Sequence, residues 1–368
     1  MPSKKPKQWD SLFFWLVLTL VFFGFLIFIS ASLGLFAQTE TSFGSIAFRQ
    51  FLIGIVFGFG FLWGVSHIPY TYWKRFAVPF FLLSLGATLL VFVPSIGFTY
   101  NGATRWLDIF GVSFQPVELL KIGVVVCLAA WFAHTGDKIR TFKYGVLPFI
   151  FILALVAGVL FAQPDTGSFL VIGMTAAAVF VAAGARWTHI LGIGSLGGIG
   201  LTALVYSRPY LQERLITFIN PAVDPLAGGY QIKQSLIAVG SGEWFGRGLG
   251  QSIQKFNYVP EPLGDSIFSV FAEEWGFIGS VILISLFVAM ALRGYKIAVN
   301  CKDTFGQLLV VGLVTAIAAQ SFVNIAALIG VIPLTGLPLI FVSQGGSALL
   351  MALVSVGIIL NVSRYSSK

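Results

Sequence analysis

About ten stretches of this chain stay apolar for close to 20 residues at a time, and that repetition leaves few folds open. As a helix rising about 1.5 Å per residue, such a stretch matches the hydrocarbon thickness of a bilayer. Within hydrocarbon every backbone N–H and C=O needs a partner inside the chain, and a helix supplies those partners by itself. A hydropathy window places the runs near 11–35, 48–66, 75–95, 116–134, 145–163, 167–185, 188–206, 266–292, 304–330 and 345–362. Only 10% of the residues are charged and 57% are hydrophobic. A soluble domain carries about 25% charge, so a water-facing globular surface is excluded. The expectation is an all-α polytopic integral membrane protein of about ten transmembrane helices, forming one unit without a separate soluble domain.

The basic residues orient these spans. With residues 1–10 and 363–368 on the cytoplasmic side, so are Lys4, Lys5, Lys7, Lys74, Arg75, Lys138, Arg140, Lys143, Arg186, Arg293, Lys296, Lys302, Arg364 and Lys368, fourteen of the 22 Lys and Arg. Three acids, Asp10, Asp137 and Asp303, share that side, which fits the positive-inside rule. The net charge of +8 is therefore read as membrane orientation and not as affinity for nucleic acid. The run from Ser11 to Phe36 is too long for a cleaved signal and is read as a retained first span. Cys127 and Cys301 suggest neither a disulfide framework nor a metal site. All three histidines (His67, His134 and His189) fall near the inner side, so outward-facing chemistry rests on carboxylates, Lys and Arg.

Three outward segments are unusually polar: 100–115, the corner Gln163-Pro164-Asp165-Thr166-Gly167, and the long loop of about 207–265 between the seventh and eighth spans. Within that loop, Tyr210 to Ile219 and Gln231 to Ser241 have the pattern of short amphipathic helices at the interface. Asp265 ends the loop where the eighth apolar run begins, either as a helix N-cap or as a functional carboxylate at the water boundary. Glu273 and Glu274 follow inside the apolar run, roughly 12 Å deeper. Glu118 and Lys121 share a helix face and read as an ion pair, and with Glu273 and Glu274 they suggest one compensated charge network. Asp165 suits either a helix cap or a site residue. Arg49, beside Gln50, suits snorkelling or an anionic headgroup, and Trp106, beside Arg105, suits an interfacial belt or a sugar-phosphate. Arg49, Arg105, Glu118, Lys121, Asp165, Lys255, Glu261 and Asp265 are all placed toward one membrane face. Gly246-x-Gly248-x-Gly250 lacks the preceding strand of a nucleotide loop, and the Gly-rich 191–200 reads as close helix packing. No cofactor and no metal are implied.

Taken in order, these blocks resemble the FtsW/RodA/SpoVE (SEDS) family. The resemblance is carried by Trp9-Asp10, Arg49-Gln50, Gly102-Ala103-Thr104-Arg105-Trp106, Phe114-Gln115-Pro116-Val117-Glu118-x-x-Lys121 and Gln163-Pro164-Asp165-x-Gly167. It continues through Gly229-Tyr230-Gln231, Gln254-Lys255, Val259-Pro260-Glu261, Asp265-Ser266-Ile267-Phe268, Glu273-Glu274-x-Gly276, Asn324 and Pro333-Leu334-Thr335-Gly336-Leu337-Pro338. Two departures stand out: Leu263-Gly264 replace the family's usual His-Thr, and Gln344 replaces its usual Tyr. The resemblance implies a peptidoglycan glycosyltransferase of the bacterial inner membrane, closer to the division branch (FtsW) than to the elongation branch (RodA). It implies lipid II, an undecaprenyl-diphosphate-linked disaccharide-peptide, as substrate, and a class B penicillin-binding transpeptidase and other divisome membrane proteins as partners. Asp265 would be the general base. Arg49, Gln50, Arg105, Trp106, Gln115, Glu118, Lys121, Asp165, Lys255 and Glu261 would contact the substrate, with Glu273 and Glu274 in a charge network. A lipid II flippase, an ion-coupled transporter and an elongation role are the alternatives.

Overall fold

The computed structural model describes residues 8–36, 48, 50–100, 103–109, 112–221, 228–256 and 258–366. Its helices are α1 (Ser11–Phe36), α2 (Gln50–His67, π-helical over Gln50–Phe57), α3 (Thr71–Arg75), α4 (Ala77–Leu89), α5 (Pro116–Thr135), α6 (Leu147–Ala162), α7 (Thr166–Ala182) and α8 (Trp187–Ser207). They continue with α9 (Pro209–Ile219), α10 (Gly228–Ser241), α11 (Ile267–Val299), α12 (Thr304–Leu328) and α13 (Gly346–Ser363). Among the described residues eight helices are long and apolar enough to cross a membrane, and the shorter apolar segments Ala77–Phe92 and Thr166–Ala182 accompany them. The chain is a polytopic helical membrane protein.

One segment between two spans departs from an all-helical reading. Strands β1 (Gly97–Tyr100), β2 (Ala103–Ile109) and β3 (Val112–Phe114) form an antiparallel sheet in the order β1-β2-β3, with Phe98 opposite Trp106 and Leu107 opposite Phe114. Its β-branched and aromatic residues suit short strands, whose alternation is too brief to stand out between two spans.

α5, α12 and α13 are the most enclosed spans, and α12 packs against α5, α7, α11 and α13. Local chemistry sets several helix starts. Pro116 opens α5, Asp165 Oδ1 accepts from Ser168 N at 3.1 Å at the start of α7, and Asp303 Oδ2 accepts from Gly306 N at 3.1 Å at the start of α12. Before α1, Asp10 accepts from Phe13 N at 2.9 Å and pairs with Arg293 Nη2 at 2.7 Å, so it fastens the start of α1 to the far end of α11.

α11 is broken near its start. Gly276 has φ +66° and ψ −164°, which frees helical carbonyls and amides inside an apolar region. A loop folds over the break and satisfies them: Arg247 N and Gly248 N donate to the carbonyls of Glu273 and Glu274 at 3.0 Å each, and Phe277 N and Ile278 N donate to those of Glu243 and Trp244 at 2.8 and 3.1 Å. Gly246, at φ +78°, must be glycine here, since a Cβ would lie 2.1 Å from the Glu274 carbonyl oxygen. The Gly-rich 246–250 stretch is thus a helix-break cover. The glycine stripe of α8 does not do what its sequence suggests. Among the described residues, nothing beyond the helix's own backbone and the adjoining residues lies within 4 Å of where a Cβ would stand on Gly192, Gly194, Gly197, Gly198 or Gly200, and α8 buries no residue, so within this chain the close packing expected there is corrected to an open face.

Candidate active site

Asp265 is presented by a tight turn. Glu261, at φ +49°, offers its carbonyl to Gly264 N at 3.0 Å and Ser266 N at 3.3 Å. Ser266 occupies the N-cap position of α11, and no side chain caps that helix. The capping role considered for Asp265 is therefore corrected: its Oδ1 instead accepts from Gln231 Nε2 on α10 at 3.3 Å and from Ser266 Oγ at 3.4 Å. Asn324 Nδ2 on α12 donates to the Asp265 main-chain oxygen at 2.6 Å and to the Leu337 carbonyl at 2.7 Å. Gly336, at φ +69°, passes close enough that a Cβ there would stand 3.8 Å from Asp265 Oδ2. Its own turn, α10, α12 and the loop at Gly336 thus converge on Asp265.

That carboxylate lines a cleft of about 450 Å³ together with Arg105, Pro164, Tyr210, Arg214 and Gln231. Burial pushes the Asp265 pKa up to about 6, and the nearby charge of Glu261 adds to the rise, against the hydrogen bonds from Gln231 and Ser266. Burial and then the Arg105 guanidinium push the Arg214 pKa down, while Tyr210, Asp265 and Asp165 push it up. Arg214 Nη1 is anchored on the Leu334 carbonyl at 3.2 Å, and its guanidinium lies 5.9 Å from the Tyr210 ring centroid. Arg105 is fixed from β2 onto the Gln163-Pro164 corner, with Nε donating to Gln163 O at 3.3 Å and Nη2 donating to Pro164 O. Asp165 caps α7 through Oδ1, while its buried Oδ2 has no hydrogen-bond partner among the described residues. A carboxylate that titrates near neutrality can accept a proton, and paired guanidiniums suit a diphosphate.

Other sequence-predicted residues stand away from the cleft. Lys121 Nζ lies 2.7 Å from Glu118 Oε2 and also donates to Gln320 Oε1, all three being buried; Gln320 Nε2 in turn donates to Pro338 O at 3.2 Å. Lys255 is enclosed, with Nζ 2.8 Å from Glu274 Oε1, 2.8 Å from Gly250 O and 3.1 Å from Ser30 O. Glu273 accepts from Ser252 Oγ at 2.5 Å and from Ile253 N and Gln254 N at 3.2 Å each, and Arg247 Nε lies 3.5 Å away. The single network expected of Glu118, Lys121, Glu273 and Glu274 is therefore corrected to two: one braces Pro338, and the other fastens the 247–255 loop to α11. In neither does a lysine line the cleft.

Gln50 is buried and braces a third loop, donating to Ser343 O at 3.3 Å and accepting from Gly345 N at 3.4 Å; Gln344 N then donates to Leu263 O at 2.7 Å, two residues before Asp265. Gln115 stands at the N-cap of α5, and Trp106 lies within β2. Arg49 lies outside the described residues. The residues that sequence reasoning left off the site are Tyr210, Arg214, Gln231 and Asn324. The polar face of the 210–219 segment was the available signal for the first two.

The comparisons agree with this architecture. A family model described as "Cell cycle protein" (FtsW/RodA/SpoVE) matches residues 10–368. A probable peptidoglycan glycosyltransferase FtsW of Geobacter sp. (strain M18) is 37% identical over 360 residues, covering 98% of both chains. Stage V sporulation protein E of Bacillus subtilis (strain 168) is 39% identical over 323 residues, covering 86% of this chain and 87% of that one. Among solved structures, a chain of a peptidoglycan synthase complex, described as coordinating polymerization and crosslinking, superposes with a TM-score of 0.80 at 28% identity, covering 98% of this chain and 99% of that one. The rod shape determining protein RodA of Thermus thermophilus superposes at 0.71 and 27%, covering 98% of each chain. Near full-length agreement in sequence and in fold makes this chain a member of the FtsW/RodA/SpoVE family.

Proposed function

We propose that the chain is a peptidoglycan glycosyltransferase that polymerises lipid II, with Asp265 as general base. The observation that carries this reading is a carboxylate with a pKa near 6 in a cleft that also holds Arg105 and Arg214. The growing strand would bind with its lipid diphosphate against the two arginines. The 4-hydroxyl of the incoming lipid II attacks the anomeric carbon of that strand. A new C–O bond forms, the bond from the anomeric carbon to the diphosphate oxygen breaks, and the hydroxyl proton passes to Asp265. Undecaprenyl diphosphate leaves with the bonding electrons, its charge offset by the guanidiniums. A relative named as a probable peptidoglycan glycosyltransferase supports this chemistry.

We further propose a division role in the bacterial inner membrane, with both termini cytoplasmic and a class B penicillin-binding transpeptidase as partner. Several FtsW-named relatives favour that branch. A flippase or ion-coupled transporter is less well supported, because Glu118, Glu273 and Glu274 each have partners within the protein. Purified protein incubated with lipid II, alone and with a candidate transpeptidase, tests the proposal. Glycan strands that vanish in Asp265→Ala are expected. Failure to form strands under any condition, with lipid II moved across vesicles instead, would overturn it.

A further inference from the structure

α5 carries its 20 residues away from the cleft, a rise of about 30 Å, and delivers residues 136–146 to the opposite face of the membrane. This connection to α6 is tightly built. Thr141 Oγ1 donates to Lys138 O at 2.7 Å, Gly145 N donates to Thr141 O at 3.0 Å, and Trp131 Nε1 donates to Tyr144 O at 3.0 Å. Ile139 is buried beneath the turn, and a Cβ on Gly145 would stand 2.0 Å from its carbonyl oxygen.

Two ammonium groups share one ring on this rigid turn. Lys138 Nζ and Lys143 Nζ each lie 5.7 Å from the Tyr144 ring centroid. Both lysines are exposed, as is Arg140, and among the described residues none of the three forms an ion pair with a carboxylate. The one acid of the turn, Asp137, is exposed and likewise enters no described ion pair. Two unneutralised cations on one preformed turn favour an anion that both can reach, and the turn loses little conformational freedom on binding it. Phe142 in the turn, Leu147 at the start of α6 and Trp131 near the end of α5 are exposed apolar side chains beside these cations.

We propose that this turn binds the headgroup of an anionic phospholipid. The phosphate sits between Lys138 and Lys143 with the Tyr144 ring as floor, and the acyl chains run along Phe142 and Leu147. A phosphate attached to a lipid is favoured over free phosphate because the cations border an apolar surface, which a free ion would not use. The proposal is independent of the chemistry assigned to the cleft.

The test is titration of the purified full chain, in zwitterionic nanodiscs, with phosphatidylglycerol, with phosphatidylcholine and with inorganic phosphate, read by native mass spectrometry. Wild type is compared with Lys138→Ala/Lys143→Ala and with Lys296→Ala/Lys302→Ala, which removes equal charge from the same face. Neither substitution in the turn removes a backbone hydrogen bond that shapes it. Phosphatidylglycerol should bind wild type in preference to phosphatidylcholine, and inorganic phosphate should not displace it. The turn variant should bind about 30-fold more weakly, from two lost headgroup hydrogen bonds of about 1 kcal/mol each, while the control variant, which keeps both turn lysines, loses far less. Equal binding by the turn variant, equal loss in the control, or displacement by inorganic phosphate would each overturn the assignment.

Discussion

Asn324 Nδ2 donates to the main-chain oxygen of Asp265 at 2.6 Å and to that of Leu337 at 2.7 Å. One buried amide on α12 therefore fixes the turn that presents the carboxylate and the loop that passes opposite it. Asn324→Leu would take a hydrogen-bond donor from each of two carbonyls, at about 1–3 kcal/mol each. It would also free the carboxylate to shift, and a displacement of about 1 Å can cost about 100-fold in rate. The expected outcome is a lower melting temperature and a fall in kcat larger than any rise in KM. An unchanged kcat in lipid II polymerisation would show that Asp265 does not depend on this anchor.

The two buried charge networks should act independently. Lys255→Met takes the cation from Glu274, which keeps the neutral donor Ser30 Oγ at 2.6 Å, and Lys121→Met takes the cation from Glu118; each should destabilise by about 3–5 kcal/mol. Because the networks share no partner, the double variant should be additive to within about 0.5 kcal/mol. Restoring neutrality with Glu274→Gln in the Lys255→Met background should recover part of the loss. Thermal unfolding of the four variants checks this, and strong coupling between Lys121 and Lys255 would mean that one network joins them.

How much of this was legible beforehand depends on where each signal sits in the chain. The spans follow from runs of apolar residues, which are local, and the structure has them nearly as read. Asp165 as a cap and Glu118–Lys121 as a pair were legible for the same reason, since each partner lies within one helical turn. The sequence puts Lys255 in the long loop and so toward the site, but that loop folds back over the break at Gly276 and encloses it. The glycines of α8 carry the pattern of a packed helix without a packed neighbour, and no local pattern distinguishes the two. Gln231 and Asn324 reach Asp265 across 34 and 59 residues, so only the tertiary fold brings them together.

Arg214 should leave two separable marks on the reaction. As a cation facing the cleft, its loss in Arg214→Gln should lower kcat/KM by roughly 10- to 100-fold, the scale of a charged hydrogen bond of about 1.5–3 kcal/mol. As a positive charge that interacts with Asp265, its removal disfavours the carboxylate, so the acidic limb of the pH–rate profile should move to higher pH. A fall in kcat/KM with an unmoved acidic limb would confine Arg214 to binding and leave it no part in tuning the base.

Asp265 itself couples activity to stability with opposite signs. Its folded pKa of about 6 lies above its ordinary value of 3.8, so the folded state holds the proton more tightly than the unfolded one. Below the unfolded pKa both states are protonated, and the group contributes no difference. As pH rises from about 4 to about 6 the unfolded chain releases its proton first, and folding stability falls by up to about 3 kcal/mol. Above that window the penalty is constant. Asp265→Asn removes the titration while keeping the shape and an oxygen that can accept from Gln231. The variant should match wild type in stability below pH 4 and exceed it at pH 7 to 8. Its polymerase activity should fall by about 100- to 10,000-fold, the usual contribution of a general base, while lipid II binding is retained. In wild type, kcat/KM should rise tenfold per pH unit below about 6 and level off above it. Thermal unfolding across pH, glycan synthesis at equal folded concentration across pH, and lipid II binding by the variant together check these expectations. Near-normal synthesis by the Asn variant would remove Asp265 from the chemistry, and equal stability at pH 8 would show that the carboxylate is not strained by its burial.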